Sequence, residues 1–165
     1  MNTVFLDGEN LTIHDVVAVA RDNAKVEISK QAKKKVQEAR HILEQLIRQK
    51  KPVYGVTTGF GALSNIVIPW ENIKQLQTNL IRSHSTGVGK KLDKDVTRAM
   101  MLLRANTLAK GNSGIRLETL ETLLQMLNKG VHPIIPEKGS VGASGDLAPL
   151  SHMALVIVGE GEAEY

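Results

Sequence analysis

Gly139-Ser140-Val141-Gly142-Ala143-Ser144-Gly145-Asp146-Leu147-Ala148-Pro149-Leu150-Ser151-His152 decides how this chain is read. A Walker-type phosphate loop needs a lysine and a hydroxyl after its last glycine, but Asp146 and Leu147 follow Gly145, so an anion would meet a carboxylate. A serine-hydrolase elbow needs glycine two places on either side of the serine; Gly142 precedes Ser144 correctly, but position 146 is Asp. Glycines at 139, 142 and 145 do not have the spacing of a dinucleotide fingerprint. Backbone chemistry remains open to Ala143-Ser144-Gly145. Without a Cβ, the Gly145 amide nitrogen can approach the Ala143 carbonyl carbon and close a five-membered ring. Loss of two waters, one involving the Ser144 hydroxyl, leaves an alkene conjugated with a carbonyl: an electrophile made from the chain. Asp146 is expected to cap the following helix and to assist proton transfer, and that helix's N-terminus favours negative charge on the ring. Spacing alone favours the other reading of these residues, an ordinary glycine-rich turn before a capped helix.

Working outward, the residues after Asp146 are apolar on nearly every side through Val158, which predicts a helix buried by several neighbours. His132-Pro-Ile-Ile-Pro136 reads as extended. Ile115 to Lys129-Gly130 has a helical apolar stripe at Leu120, Leu124 and Leu127, a basic last turn and a closing glycine. Asp93 or Asp95 caps a helix that carries Val96, Met100, Leu103 and Thr107 on one side and ends near Gly111. Pro69 starts another, which runs through Ile73, Leu76 and Leu80 to Arg82-Ser83-His84 before Gly87 and Gly89. Upstream, glycines at 55, 59 and 61 predict a flexible loop over Lys51 to Asn65, long for a connector. Ile28, Ala32, Val36, Ala39, Leu43 and Leu46 mark a firm amphipathic helix that Pro52 stops. Thr3 to Ile13 reads as a short strand or a hairpin turning at Asp7-Gly8, followed by a short helix over Asp15 to Arg21. The fold class is therefore mainly α.

With 165 residues, 42% of them hydrophobic, the chain has material for about one domain with a real core. The lack of cysteine excludes disulfide scaffolds, thiol nucleophiles and cysteine-ligated metals. The longest apolar run, Met153 to Val158, is far below a membrane span, and the N-terminus lacks a basic start and a hydrophobic signal core. No membrane partner and a cytoplasmic location are expected. A net charge of +4 and a pI near 9.4 raise the question of nucleic acid. However, Lys33 to Lys35 lie on a helix with an apolar face, and no aromatic residues interleave with them as stacking platforms. A solvated helix face, with no nucleic-acid partner, is the expectation. His14 and His41 read as surface residues and His132 and His152 as structural ones, with no zinc-type pair.

Ala143-Ser144-Gly145 within GSVGASGDLAPLSH resembles the signature of the aromatic amino acid ammonia-lyases and aminomutases, which build a methylidene-imidazolone (MIO) group from this tripeptide. Tyr54-Gly-Val-Thr-Thr-Gly-Phe-Gly61 is similar to that family's catalytic tyrosine loop. Asn79-Leu-Ile-Arg-Ser-His-Ser-Thr-Gly-Val-Gly89 is similar to its substrate-side motif. The three motifs occur in the family's order and span nearly the whole chain. The resemblance implies that the substrate amine adds to the methylidene carbon derived from Ser144, which improves a poor leaving group. Tyr54 is then the base that removes the β-proton; a phenol has a reference pKa of about 10, so that role needs positive surroundings. His84, with Ser83 and Gly61, is implied on the substrate side, where a neutral imidazole can serve an imidazole or a phenol ligand.

The Ser83-His84 pair is most similar to the histidine-specific members, which implies deamination of L-histidine to urocanate and ammonia. Tyrosine or phenylalanine ammonia-lyase, or a tyrosine aminomutase, is the alternative within the family. A catalytically silent folding or assembly module is the alternative from another class. Family members are much longer and form homotetramers, so residues 1–165 read as a single-domain N-terminal portion without the C-terminal helical bundle. The isolated chain is accordingly expected to be inactive, with the tripeptide uncyclised, and to use neither metal nor nucleotide.

Overall fold

The computed structural model describes residues 3–165. Its first strand, β1 (Thr3–Leu6), pairs in parallel with β2 (Lys25–Ile28), with Val4 opposite Val26 and Leu6 opposite Ile28. Between them runs α1 (Ile13–Ala20), started by a reciprocal cap: Thr12 Oγ1 accepts from the Asp15 amide and the Asp15 carboxylate accepts from the Thr12 amide. The pairing is not a hairpin. Asp7 accepts from the Glu9 and Asn10 amides, and the Gly8 amide donates to Asn106 Oδ1, so the turn docks onto a distant helix instead of reversing the strand.

Helix α2 (Lys30–Arg48) is capped by the Ser29 hydroxyl; of the predicted stripe it buries Ala32 and Val36 and half-buries Ala39, Leu43 and Leu46, while Ile47, outside that stripe, is buried at its C-terminal end. Lys33 is tied to Glu121, and Lys34 stands in solvent. Helix α3 (Ile73–His84) follows a short 3-10 turn at Trp70–Asn72. Strand β3 (Val88–Lys91) then leads to α4 (Lys94–Ala109), and α5 (Leu117–Lys129) closes at Gly130 with φ 77°. Short strands β4 (His132–Pro133) and β5 (Pro136–Lys138) make the expected extended segment. They pair with β6 (Ala163–Glu164) and β3, respectively. The remaining helix is α6 (Leu147–Ile157).

The core lies where α4 and α5 meet α1, α2 and the β1–β2 pair, around fully buried Leu6, Val19, Val36, Met101, Leu102, Leu120 and Leu127. Helix α4 buries Thr97, Arg98, Met101, Leu102, Ala105 and Leu108, whereas Val96, Leu103 and Thr107 of the predicted stripe are exposed and Met100 only half-buried. The true face is offset because it includes a charged residue. Arg98 is 3% exposed. Its Nε and Nη2 donate to the Val19 carbonyl (2.9 and 2.7 Å), and its Nη1 donates to the Leu127 carbonyl (3.1 Å) and to His132 Nε2 (3.0 Å). One guanidinium thus fills the C-terminal ends of α1 and α5, where helix carbonyls lack partners and a positive charge is favoured.

Helix α6 departs from expectation. Only Ala148, Pro149 and Met153 are buried, while Leu147 and Val158 are each 46% exposed. Its other apolar side chains are half-covered, because among the described residues it packs mainly against α3, with smaller contacts to α5, β4 and β5.

Candidate functional site

Residues 140–146 form an exposed loop leading into α6. The Ser144 hydroxyl donates to the Val141 carbonyl at 2.9 Å and closes the turn locally. Gly145 has φ 80°, a conformation that glycine alone adopts cheaply, and a Cβ placed there would have no neighbour within 4 Å. The tripeptide meets the chemical requirements for condensation: a glycine nitrogen free of side-chain crowding, a serine hydroxyl to lose, and a small alanine at the carbonyl to be attacked. What this loop lacks is compression, since among the described residues no atom lies within 4 Å of a Cβ placed at Gly142 or Gly145. Asp146 does not cap α6 as expected. It occupies the cap position with φ 59° and ψ 50° and makes no side-chain bond to the helix, unlike Thr12 and Ser29, whose extended backbones aim an oxygen at the first turn.

The tyrosine loop is more ordered than its glycines suggested. Buried Thr57 accepts from the Val53 amide and donates to the Lys51 carbonyl. Buried Thr58 accepts from the Gly55 amide, donates to the Gly59 carbonyl and bridges to Val67. Gly61 begins a 3-10 turn. These bonds hold Tyr54 outward, 65% exposed, with its ring edge-on to Phe60 at 5.8 Å. Among the described residues its hydroxyl meets only the Gly61 amide, at a long 3.5 Å.

Helix α3 links this loop to the substrate-side motif: Gln77 Nε2 donates to the Gly55 carbonyl at 2.8 Å. At its end, Ser83 Oγ donates to the Leu80 carbonyl. His84 Nδ1 lies 3.0 Å from both that carbonyl and Ser83 Oγ. A carbonyl can only accept, so Nδ1 carries a proton, and Nε2 is the nitrogen of this half-buried ring that has no hydrogen-bond partner among the described residues. Arg82 is held by a two-point pair with Glu160 (2.8 and 2.5 Å), which keeps the Glu160 carboxyl below its ordinary value.

The substrate-side motif also touches the tripeptide's segment. The Gly87 amide donates to His152 Nε2 at 3.0 Å, and β3 pairs with β5 through Val88 and Lys138. Adjacent motifs are therefore joined in turn, but among the described residues no hydrogen bond connects Tyr54, His84 and the tripeptide directly. A cavity of about 620 Å³ between α2, α3 and α4 is lined by Arg40, Trp70, Ile73, Arg104 and Arg116 and includes none of these residues. Among the described residues, no group of three or more histidines, cysteines or acids is placed to hold a metal, and no helix is long and apolar enough to cross a membrane.

Sequence reasoning gave no role to Gln77 and treated His152 as structural. Only the inclusion of His152 in the quoted stretch pointed to it. His14 and His41 are exposed, and His132 is buried against Arg98.

The family model for aromatic amino acid lyases matches residues 11–165. The chain is 57% identical over 165 residues to the histidine ammonia-lyase of Alkaliphilus oremlandii, covering all of this chain and 32% of that protein. Against the histidine ammonia-lyase of Caldanaerobacter subterraneus it is 58% identical with the same coverage. Among solved structures, tyrosine aminomutase from Streptomyces globisporus superposes with TM-score 0.93 at 44% identity, over 99% of this chain and 31% of that one. Histidine ammonia-lyase from Trypanosoma cruzi superposes with TM-score 0.89 at 43% identity, over 98% and 30%. The chain spans about a third of the length of the curated relatives it matches.

Proposed function

The chain belongs to the aromatic amino acid lyase family, and from that premise we propose that it serves the non-oxidative deamination of L-histidine to urocanate and ammonia. The observation that carries this reading is the intact Ala143-Ser144-Gly145 on an open loop at the head of α6, in a chain 57% identical throughout to a histidine ammonia-lyase. Residues 143–145 would hold the prosthetic group as part of the backbone, and once condensed it would supply an electrophilic carbon for the substrate's amino group.

The remaining roles belong to ordinary side chains. Tyr54 stands exposed on a loop fixed by Thr57 and Thr58 and would take the β-proton once its own phenol has given up its proton. Ser83 and the Leu80 carbonyl fix the His84 ring so that Nε2 can accept a hydrogen bond from the substrate's side chain. Gly61 places its amide beside the Tyr54 hydroxyl. Asp146 stands next to the tripeptide with its carboxylate unused by the helix, available for proton transfer.

Residues 1–165 form one domain of a longer homotetrameric, cytoplasmic enzyme. Condensation needs the loop to be compressed, so the isolated chain keeps its tripeptide uncyclised and does not turn over. A second reading, tyrosine aminomutase, is favoured by the likeness to the Streptomyces enzyme, TM-score 0.93 at 44% identity. The test presents L-histidine, L-tyrosine and L-phenylalanine to a polypeptide of the relatives' length carrying this chain, following ammonia and product. Urocanate from histidine alone supports the proposal; a β-amino acid from tyrosine selects the second reading; no reaction with any of them leaves an assembly module.

A further inference from the structure

We propose that His152 is a positioning residue, which clamps the turn after Ser83-His84 onto the helix that begins at the tripeptide. The contact is a single hydrogen bond in which the Gly87 amide donates to His152 Nε2 at 3.0 Å, joining residues 65 apart. Both partners are half-buried. For Nε2 to accept, the ring must be neutral with its proton on Nδ1. Burial pushes the imidazole below its ordinary value and so favours that neutral form.

The fit around the bond is close enough to fix geometry. A Cβ on Gly87 would lie 3.1 Å from His152 Nε2 and 3.1 Å from Pro136 Cβ. One on Gly139 would lie 3.1 Å from Ala148 Cβ and 3.3 Å from Gly87 Cα. Two glycines thus let the backbone after α3 and the backbone before the tripeptide approach as near as side-chain-free residues allow, and His152 reaches across to lock them. His84 lies three residues before Gly87, and His152 lies on α6 two turns beyond the loop. The bond therefore sets where the His84 ring stands relative to residues 143–145. Its effect on turnover rests on the lyase reading above; its geometry does not.

Two variants separate positioning from mere packing. His152→Leu removes the acceptor and keeps bulk, whereas His152→Gln offers Oε1 near the place of Nε2. Hydrogen exchange of the Gly87 amide and the chemical shift of the His84 Cε1–H are read in the 165-residue chain, with the Leu102 amide in the core as the control for folding. In His152→Leu we expect Gly87 protection to fall by about tenfold or more while Leu102 stays protected, and the His84 resonance to move. His152→Gln restores both. Unchanged Gly87 protection in His152→Leu, a stationary His84 resonance, loss of Leu102 protection in both variants, or failure of His152→Gln to restore the wild-type values would each overturn the inference. In the longer enzyme, His152→Leu is expected to raise KM by roughly fivefold with a smaller change in kcat. If the unmodified longer enzyme releases no ammonia from any of the three amino acids, the lyase reading fails, while the exchange and resonance data still decide the clamp.

Discussion

Replacing Arg98 with leucine should cost this domain a large part of its stability, and the size of the loss follows from its four bonds. The guanidinium supplies donors to the Val19 carbonyl, the Leu127 carbonyl and His132 Nε2, all at buried residues. Arg98→Leu leaves the Val19 carbonyl and His132 Nε2 without a donor, each costing about 1–3 kcal/mol when buried, and leaves the Leu127 carbonyl with only a long bond from the Gly130 amide at 3.4 Å. Apolar burial of the leucine and release from keeping a guanidinium dehydrated offset part of that sum. We expect a net loss of about 3 kcal/mol, a sizeable share of the roughly 5–15 kcal/mol of a typical domain. Arg98→Lys keeps the charge but not the fork, and recovers less than half. Urea unfolding followed by circular dichroism is the assay: the midpoint falls by about 1–2 M with the slope unchanged. A loss below about 1 kcal/mol in Arg98→Leu would refute the view that one residue satisfies two helix ends.

Stability also depends on pH through His132. Burial, with smaller contributions from Lys94 and Arg98, pushes its imidazole below the ordinary value, while Glu164 opposes the shift. Above the unfolded value of about 6.5 the ring is neutral in both states and contributes no slope. As pH falls below that value the unfolded chain binds a proton that the folded chain refuses. Stability then drops by up to about 1.4 kcal/mol per pH unit until the folded ring is protonated as well. His152, also lowered by burial, adds a contribution of the same sign. Urea midpoints measured between pH 8 and pH 5 in His132→Gln should show a shallower decline than in the unmodified chain; an equal slope removes His132 from the account.

Two further changes probe the site. In a polypeptide of the relatives' length, Tyr54→Phe should leave the tripeptide's chemistry intact yet lower kcat by about 10²–10⁴, the usual contribution of a general base; wild-type turnover would remove Tyr54 from that role. Gly139→Val would press against Ala148 and the Gly87 backbone and should destabilise the chain by about 1–3 kcal/mol, which thermal unfolding detects; an unchanged melting temperature would mean that the two backbones are not in close contact.

Helices α2 and α5 were legible because their apolar residues recur with helical spacing beside clear stop signals at Pro52 and Gly130. On α4 the same method chose the wrong side. A charged residue reads as solvent-facing, so burial of Arg98 against two helix ends disguised the inward face, and exposed Leu103 imitated a core position. The parallel β1–β2 pairing was hidden for another reason: the turn after β1 leads away from its partner, its Gly8 amide bonded to Asn106, almost a hundred residues away. In the site, the tripeptide was readable because its chemistry lies in three consecutive residues. The threonine scaffold under Tyr54 was masked by glycines, and the bond from Gly87 to His152 has no local signature.

The peptide mass over residues 143–145, measured in a polypeptide of the relatives' length and again in Ser144→Ala, bears most directly on the claim that this backbone makes its own electrophile. The account predicts a deficit of two waters in the first, absent from the second along with nearly all turnover. An unmodified mass in an enzyme that still releases ammonia would contradict it.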